Sequence, residues 1–162
     1  MVRLATILLG TMLLAAPAMA QNTDSSGGDA NIEIFIQKIK ADKKLLVASN
    51  MDLTDAEGKK FWPLYDAYQK ELWQINEQLG KTINDYAEAY NADKGTIPEE
   101  TAKKLLKEAL SVEEAELKLK KTYVDKIGKI LPATKTARYY QIENKIRTVF
   151  KLELVKEIPL VY

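Results

Sequence analysis

Neither cysteine nor histidine occurs anywhere in the 162 residues. Their absence excludes disulfides, thiol chemistry and a lipoprotein attachment thiol, and it removes the usual side chains of zinc sites and nucleophilic triads. The 7 glycines are scattered or sit in linkers, so no phosphate-cradling loop is present. A surplus of charge is missing too: 24 Lys and Arg stand against 23 Asp and Glu. Nucleic acid or an anionic membrane as main partner would select for a basic surplus. Carboxylates do cluster, at Glu99/Glu100 and Glu113/Glu114/Glu116, but they lie among lysines at helical spacing and read as solvated helix surface. No enzymatic activity, cofactor or metal site is therefore expected.

The one long apolar run is at the start. "MVRLATILLGTMLLAAPAMA" has a basic residue at Arg3, an apolar stretch from Leu4 to Ala16 and a small-residue site at Ala18-Met19-Ala20. That pattern predicts an export signal over residues 1–20, cleaved after Ala20. Pro17 ends the run short of the roughly 20 residues a membrane span needs. The mature chain would then be periplasmic, without a membrane span and with balanced charge. No N-x-[ST] acceptor follows the signal. Residues 21–29, "QNTDSSGGD", read as a flexible leader, and residues 30–162 as a single all-helical domain.

No stretch alternates with period two for long enough to be a strand, and "IEIFI" (Ile32 to Ile36) continues into helical spacing. Four helices are expected. The first carries Ile32, Phe35/Ile36 and Ile39. The second starts at Thr54, where Thr54 and Glu57 form a capping box, and it runs about 40 residues to "NADKG". Its inward stripe is Phe61, Tyr65, Tyr68, Leu72, Ile75, Leu79, Thr82 and Tyr86. The third carries Pro98 in its first turn, where the missing N–H costs nothing, and has a broad apolar face that includes Leu105/Leu106, Leu110, Val112, Leu117, Leu119, Tyr123 and Ile127. The fourth runs from Ala133 to Glu157 with Ile142, Ile146, Val149/Phe150 and Leu154 inward. A short glycine turn between two long helices predicts an antiparallel hairpin with two flanking helices. Such thin layers leave apolar faces uncovered, so a homodimer is expected.

Pro63 lies inside the second helix beside its aromatics and predicts a kink near Lys59 to Trp62. Trp62 and Trp73 share one flank, either packed under a neighbouring helix or exposed as a ledge. "LTDAEGKKFW" (Leu53 to Trp62) also aligns faintly with "LPATKTARYY" (Leu131 to Tyr140), matching the leucines, Lys60 with Arg138, and two aromatics. Both segments begin helices that would start at the same end of an antiparallel layout.

Paired Leu-Thr-x-x-Gln-like helix starts on an exported, all-helical chain resemble the Spy/CpxP group of periplasmic envelope-stress proteins. The first copy here is Leu53-Thr54-Asp55-Ala56-Glu57, with glutamate where the family has glutamine. The second keeps Leu131 but has Pro132 and Lys135. The resemblance implies a helical-hairpin dimer with a concave surface. It also implies ATP-independent holding of unfolded or partly folded envelope proteins, or modulation of the periplasmic domain of a sensor kinase. The absence of histidine and cysteine separates the chain from that group's metal-handling relatives. On this reading Phe61, Trp62, Tyr65, Tyr139 and Tyr140 are the candidate apolar contacts with a partner protein, and Lys59, Lys60 and Arg138 the charged rim. Two alternatives are a regulatory partner of one membrane stress sensor and a structural envelope protein that binds no client.

Overall fold

The computed structural model describes residues 25–93 and 95–161, with side chains from Gln37 onward. The expected export signal and residues 21–24 lie outside the described residues. Four α-helices follow in order: α1 Ser25–Met51, α2 Asp55–Ala92, α3 Glu99–Gly128 and α4 Ala133–Glu157. Among the described residues there is no strand, and no helix is long and apolar enough to cross a membrane. The helix α1 opens at Ser25, inside the segment read as a leader. The chain divides into two compact units, one containing α1 and the other running from Leu53 to Tyr162 with α2, α3 and α4. The second unit carries all the candidate residues.

Local signals set the helix ends. Thr54 caps α2 in a complete capping box: the Glu57 N–H donates to Thr54 Oγ1 (3.3 Å) and the Thr54 N–H donates to Glu57 Oε2 (2.8 Å). Two otherwise orphaned donors are satisfied reciprocally. Thr54→Ala is accordingly expected to lower stability by about 1 kcal/mol, read as a shift of the urea midpoint at constant m-value.

At the other end, Gly95 adopts φ +100° and donates to the Tyr90 carbonyl at 2.8 Å. A β-carbon there would meet the Tyr90 ring at 3.2 Å, so the turn requires glycine both for its backbone and for its space. Pro98 and Pro132 cap α3 and α4 with φ of −56° and −55°, and their carbonyls accept from Ala102 and Thr136 at 2.9 Å. Pro98 was expected within the first turn and stands one position earlier. The helix α2 continues through Pro63, which is exposed and about 200° around the helix from Phe61. On that outer face water can satisfy the Lys59 carbonyl that the proline leaves without a donor.

Within the Leu53–Tyr162 unit, residue pairs between α2 and α3 run in opposite chain directions. Tyr68 meets Tyr123 and Asp85 meets Lys104. Pairs between α2 and α4 run in the same direction: Glu57 with Lys135, Phe61 with Tyr139, Gln69 with Glu143, and Asn76 with Arg147. The core of α2 is Phe61, Tyr65, Tyr68, Leu72 and Ile75 as expected, but Leu79, Thr82 and Tyr86 are only half-buried and Ala87 is buried instead.

Two helix faces differ from expectation. On α3 the buried residues are Leu105, Val112, Glu116, Leu119, Tyr123 and Ile127, while Leu106, Leu110 and Leu117 are exposed. A helix packed on one side covers one stripe of its circumference, and these three leucines fall outside it. On α4 the inward residues are Thr136, Tyr139, Glu143, Arg147 and Leu154. Ile142, Ile146 and Phe150 are half-buried and Val149 is exposed. Apolar patterning turned the charged residues outward, whereas hydrogen bonds to α2 and α3 hold Glu143 and Arg147 inside.

Candidate functional site

The starts of α2 and α4 meet, and they meet through equivalent positions of the faint repeat. Glu57 and Lys135, each four residues after its leucine, form an ion pair at 2.7 Å. These are the two positions at which the resembled Leu-Thr-x-x-Gln pattern has glutamine. Glu57 Oε2 also accepts from the Thr54 N–H (2.8 Å) and hydroxyl (3.1 Å), so one oxygen joins the cap of α2 to the first turn of α4. The Lys135 ammonium, the Thr54 backbone bond and the Thr54 hydroxyl together outweigh desolvation and hold the Glu57 carboxyl below its usual range. Four residues further on, Phe61 and Tyr139 stack edge to face with centroids 5.1 Å apart.

Around that contact the rings form one cluster. Trp62 packs against Phe61 at 5.0 Å and Tyr65 at 5.5 Å, and Tyr139 touches Tyr65 and Tyr68. Tyr68 passes the contact on to Tyr123 of α3 at 5.4 Å. Edge-to-face geometry of this kind adds about 0.5–1.5 kcal/mol per pair beyond area burial. Burial, helped by the Glu143 carboxylate, pushes the hydroxyls of Tyr65, Tyr68 and Tyr139 well above the usual tyrosine range, so they remain neutral phenols. Tyr123 donates to Glu71 Oε1 at 2.6 Å and is raised to about 12, first by burial and then by that carboxylate. The Tyr139 hydroxyl is buried beside Gln69 and makes no well-aligned hydrogen bond.

Next along the unit comes a buried polar band. Gln69 Nε2 donates to Glu143 Oε1 at 2.9 Å. Arg147 donates from Nε (3.0 Å) and Nη2 (2.7 Å) to Glu116 Oε2, and from Nη1 to Asn76 Oδ1 (2.7 Å). Glu116 is 3% exposed and Arg147 9% exposed, so neither charge is left to water. The Lys120 ammonium lies 2.8 Å from Glu116 Oε1, and Lys151 is 3.7 Å from Oε2. Burial alone would raise the Glu116 pKa, but the Arg147 and Lys120 hydrogen bonds and charges outweigh it and hold it at about 2. Three cations facing one carboxylate form a clamp between α3 and α4. Among the described residues no group of three or more His, Cys, Asp or Glu side chains is placed to hold a metal.

Of the candidate contact residues, Phe61 (0% exposed), Tyr65 (2%) and Tyr139 (3%) lie in the core. They have no surface to offer a partner, because the aromatics nearest the helix starts are the ones that cement α2 to α4. Trp62 is half-buried and Tyr140 is 44% exposed, with Lys59, Lys60 and Arg138 exposed. Of the helix-start residues, Leu131 is buried, Leu53 and Glu57 are half-buried and Thr54 is exposed. Trp73 is half-buried and donates to Glu77 at 3.0 Å.

Glu116 was read as solvated surface; it is interior together with Arg147, and the Glu116–Arg147 clamp is the feature that sequence reasoning missed. A signal for it existed on α4: Thr136, Tyr139, Glu143 and Arg147 follow one another at spacings of three and four, so the stripe that buries Tyr139 also buries both charges. Compared with models of protein families, with curated proteins and with solved structures, the chain matches none.

Proposed function

We propose that this protein is an exported, periplasmic, ATP-independent binding protein of the Spy/CpxP type, which holds unfolded or partly folded envelope proteins as a homodimer built on a long helical hairpin. The observation that carries the reading is that large apolar side chains reach solvent near basic ones at the adjoining starts of α2 and α4. Tyr140 and half-buried Trp62 supply the apolar part, and Lys59, Lys60 and Arg138 the basic part. Further along α4, Val149, Leu152 and Val155 are also exposed. Apolar side chains left exposed near charged ones are the kind of surface that protein contacts use. The hairpin part of the reading is supported by the opposite order of residue pairs along α2 and α3. Its export rests on the leader pattern, and its family on the paired leucine-led helix starts that the Glu57–Lys135 ion pair joins.

Light scattering of an unrelated aggregating protein, without ATP and across stoichiometries, tests the proposal. Suppression near equimolar dimer is the expected result, and Trp62→Ala or Tyr140→Ala should weaken it while leaving the helical content unchanged. No suppression at excess protein removes the client-holding reading and leaves a dedicated sensor partner or a structural role.

A further inference from the structure

The helix α4 is held unevenly along its length. Over residues 133–147 it buries Thr136, Tyr139, Glu143 and Arg147, and it bonds to α2 and α3 through Lys135, Glu143 and Arg147. Over residues 148–157 it buries Leu154 alone. Among the described residues, the one polar side-chain contact from that stretch to another helix is exposed Lys151, 3.7 Å from Glu116. Lys156 and Glu153 pair with each other.

A helical stretch this short does not persist in water by itself. Its far end is tied down beyond the helix. The Ile158 N–H closes the last turn on the Leu154 carbonyl at 3.2 Å, and the backbone then turns extended, with φ −93° and ψ 110°. Next, the Pro159 carbonyl accepts from the Tyr86 hydroxyl of α2 at 2.7 Å. Leu160 is 80% exposed and Val161 51%, so their side chains add little grip. Tyr86 is a well-placed post: it stacks on Tyr90 at 5.9 Å, and the Tyr90 carbonyl is bonded by the Gly95 N–H of the turn after α2.

The sequence of the stretch sharpens the contrast. Val149, Phe150, Leu152, Leu154 and Val155 spread around the helix with no gap wider than about 100°. A helix apolar on all sides is normally enclosed, yet Val149, Leu152 and Val155 face solvent. Few buried contacts and a single bond at the far end are the features of a unit that opens at low cost. We propose that residues 148–161 form a strap latched by Tyr86: when that bond breaks, the strap unwinds as one unit back to the Arg147 clamp, while the rest of α4 stays folded. Opening frees half-buried Phe150 and buried Leu154, so the strap offers all five apolar side chains only when unlatched. A protein partner that takes all five binds the open form, and its apparent affinity falls in proportion to the fraction latched.

The strap stands apart from the client-holding reading, because it is tested without a client. Hydrogen exchange of the purified protein, followed amide by amide by NMR, is the measurement. The amides of residues 152–158 should share one protection factor, lower than those of residues 137–147, since a single opening breaks their bonds together. Tyr86→Phe keeps the ring stacked on Tyr90 and removes the latch. It should lower protection of residues 152–158 about threefold to tenfold and leave residues 137–147 unchanged. Leu160→Ala, at an exposed side chain, should change neither.

Protection that declines smoothly towards residue 158 would mean ordinary fraying of a helix end and would overturn the proposal. Indifference to Tyr86→Phe, an equal loss along the whole of α4 in that variant, or a loss from Leu160→Ala as large as that from Tyr86→Phe would overturn it as well.

Discussion

Glu116→Ala is expected to destabilise the protein by about 3–5 kcal/mol, a large part of the stability of a domain this size. The cost comes less from the lost carboxylate than from what remains. Arg147 would keep its charge, 9% exposed, with the neutral oxygen of Asn76 and the face of the Phe150 ring but no carboxylate bonded to it. Arg147→Ala should cost a similar amount by stranding Glu116, although Lys120 at 2.8 Å would soften it. Replacing both residues together by Leu and Met should recover most of the loss, since a well-packed apolar pair escapes the desolvation that the ions suffer. Urea unfolding of the two single variants and the double variant forms the cycle, with strong positive coupling the expected outcome. Equal and additive losses would mean that the two charges do not act as a unit.

The same clamp sets the response to acid. Because the folded-state Glu116 pKa lies at about 2 and the ordinary value is 4.5, its contribution is complete above about pH 4.5. It declines as pH falls and is gone by about pH 2, since protonation removes the charge that Arg147 and Lys120 answer. Glu116→Gln should flatten that part of the stability profile, and unfolding midpoints measured between these limits would show it.

Phe61→Ala is expected to cost about 3–5 kcal/mol, because Phe61 is fully buried where α2 meets α4 and its ring faces Trp62, Tyr65 and Tyr139. Tyr139→Phe, in contrast, keeps the ring contacts and removes a hydroxyl that is buried without a well-aligned partner. It should leave stability unchanged or raise it slightly. A loss above about 1 kcal/mol for Tyr139→Phe would show that the hydroxyl is bonded after all, with Gln69 the nearest candidate. The contrast between the two variants distinguishes ring packing from polar satisfaction as the source of cohesion at the helix starts.

The aromatics illustrate how far a sequence can be followed. Helical spacing placed Phe61, Tyr65 and Tyr68 on one face, and that face is buried. Phe61 and Tyr65 were also candidate contacts with a partner, and the two roles compete for one surface. The packing of α4 decided the matter by bringing Tyr139 to within ring contact of all three. What remains for a partner is Trp62 and Tyr140, one residue beyond Phe61 and Tyr139 and so about 100° further around each helix. A step of one residue separates core from surface, and spacing alone cannot say which of two adjacent aromatics turns inward.

By itself the sequence determined that there are four helices and, to within a residue, where α2, α3 and α4 begin. Those signals act within a single turn: the Thr54–Glu57 box, the positive φ that only Gly95 takes without strain, and the prolines at positions 98 and 132. Only the tertiary structure decided which side of α3 and α4 faces inward. Burial of a charge depends on a partner that is distant along the chain: Arg147 reaches Glu116, 31 residues away, and Gln69 reaches Glu143, 74 residues away. Hydropathy treats each of these residues as a cost to burial. Once the helices pack, hydrogen bonding turns them inward and leaves Leu106, Leu110 and Leu117 facing out.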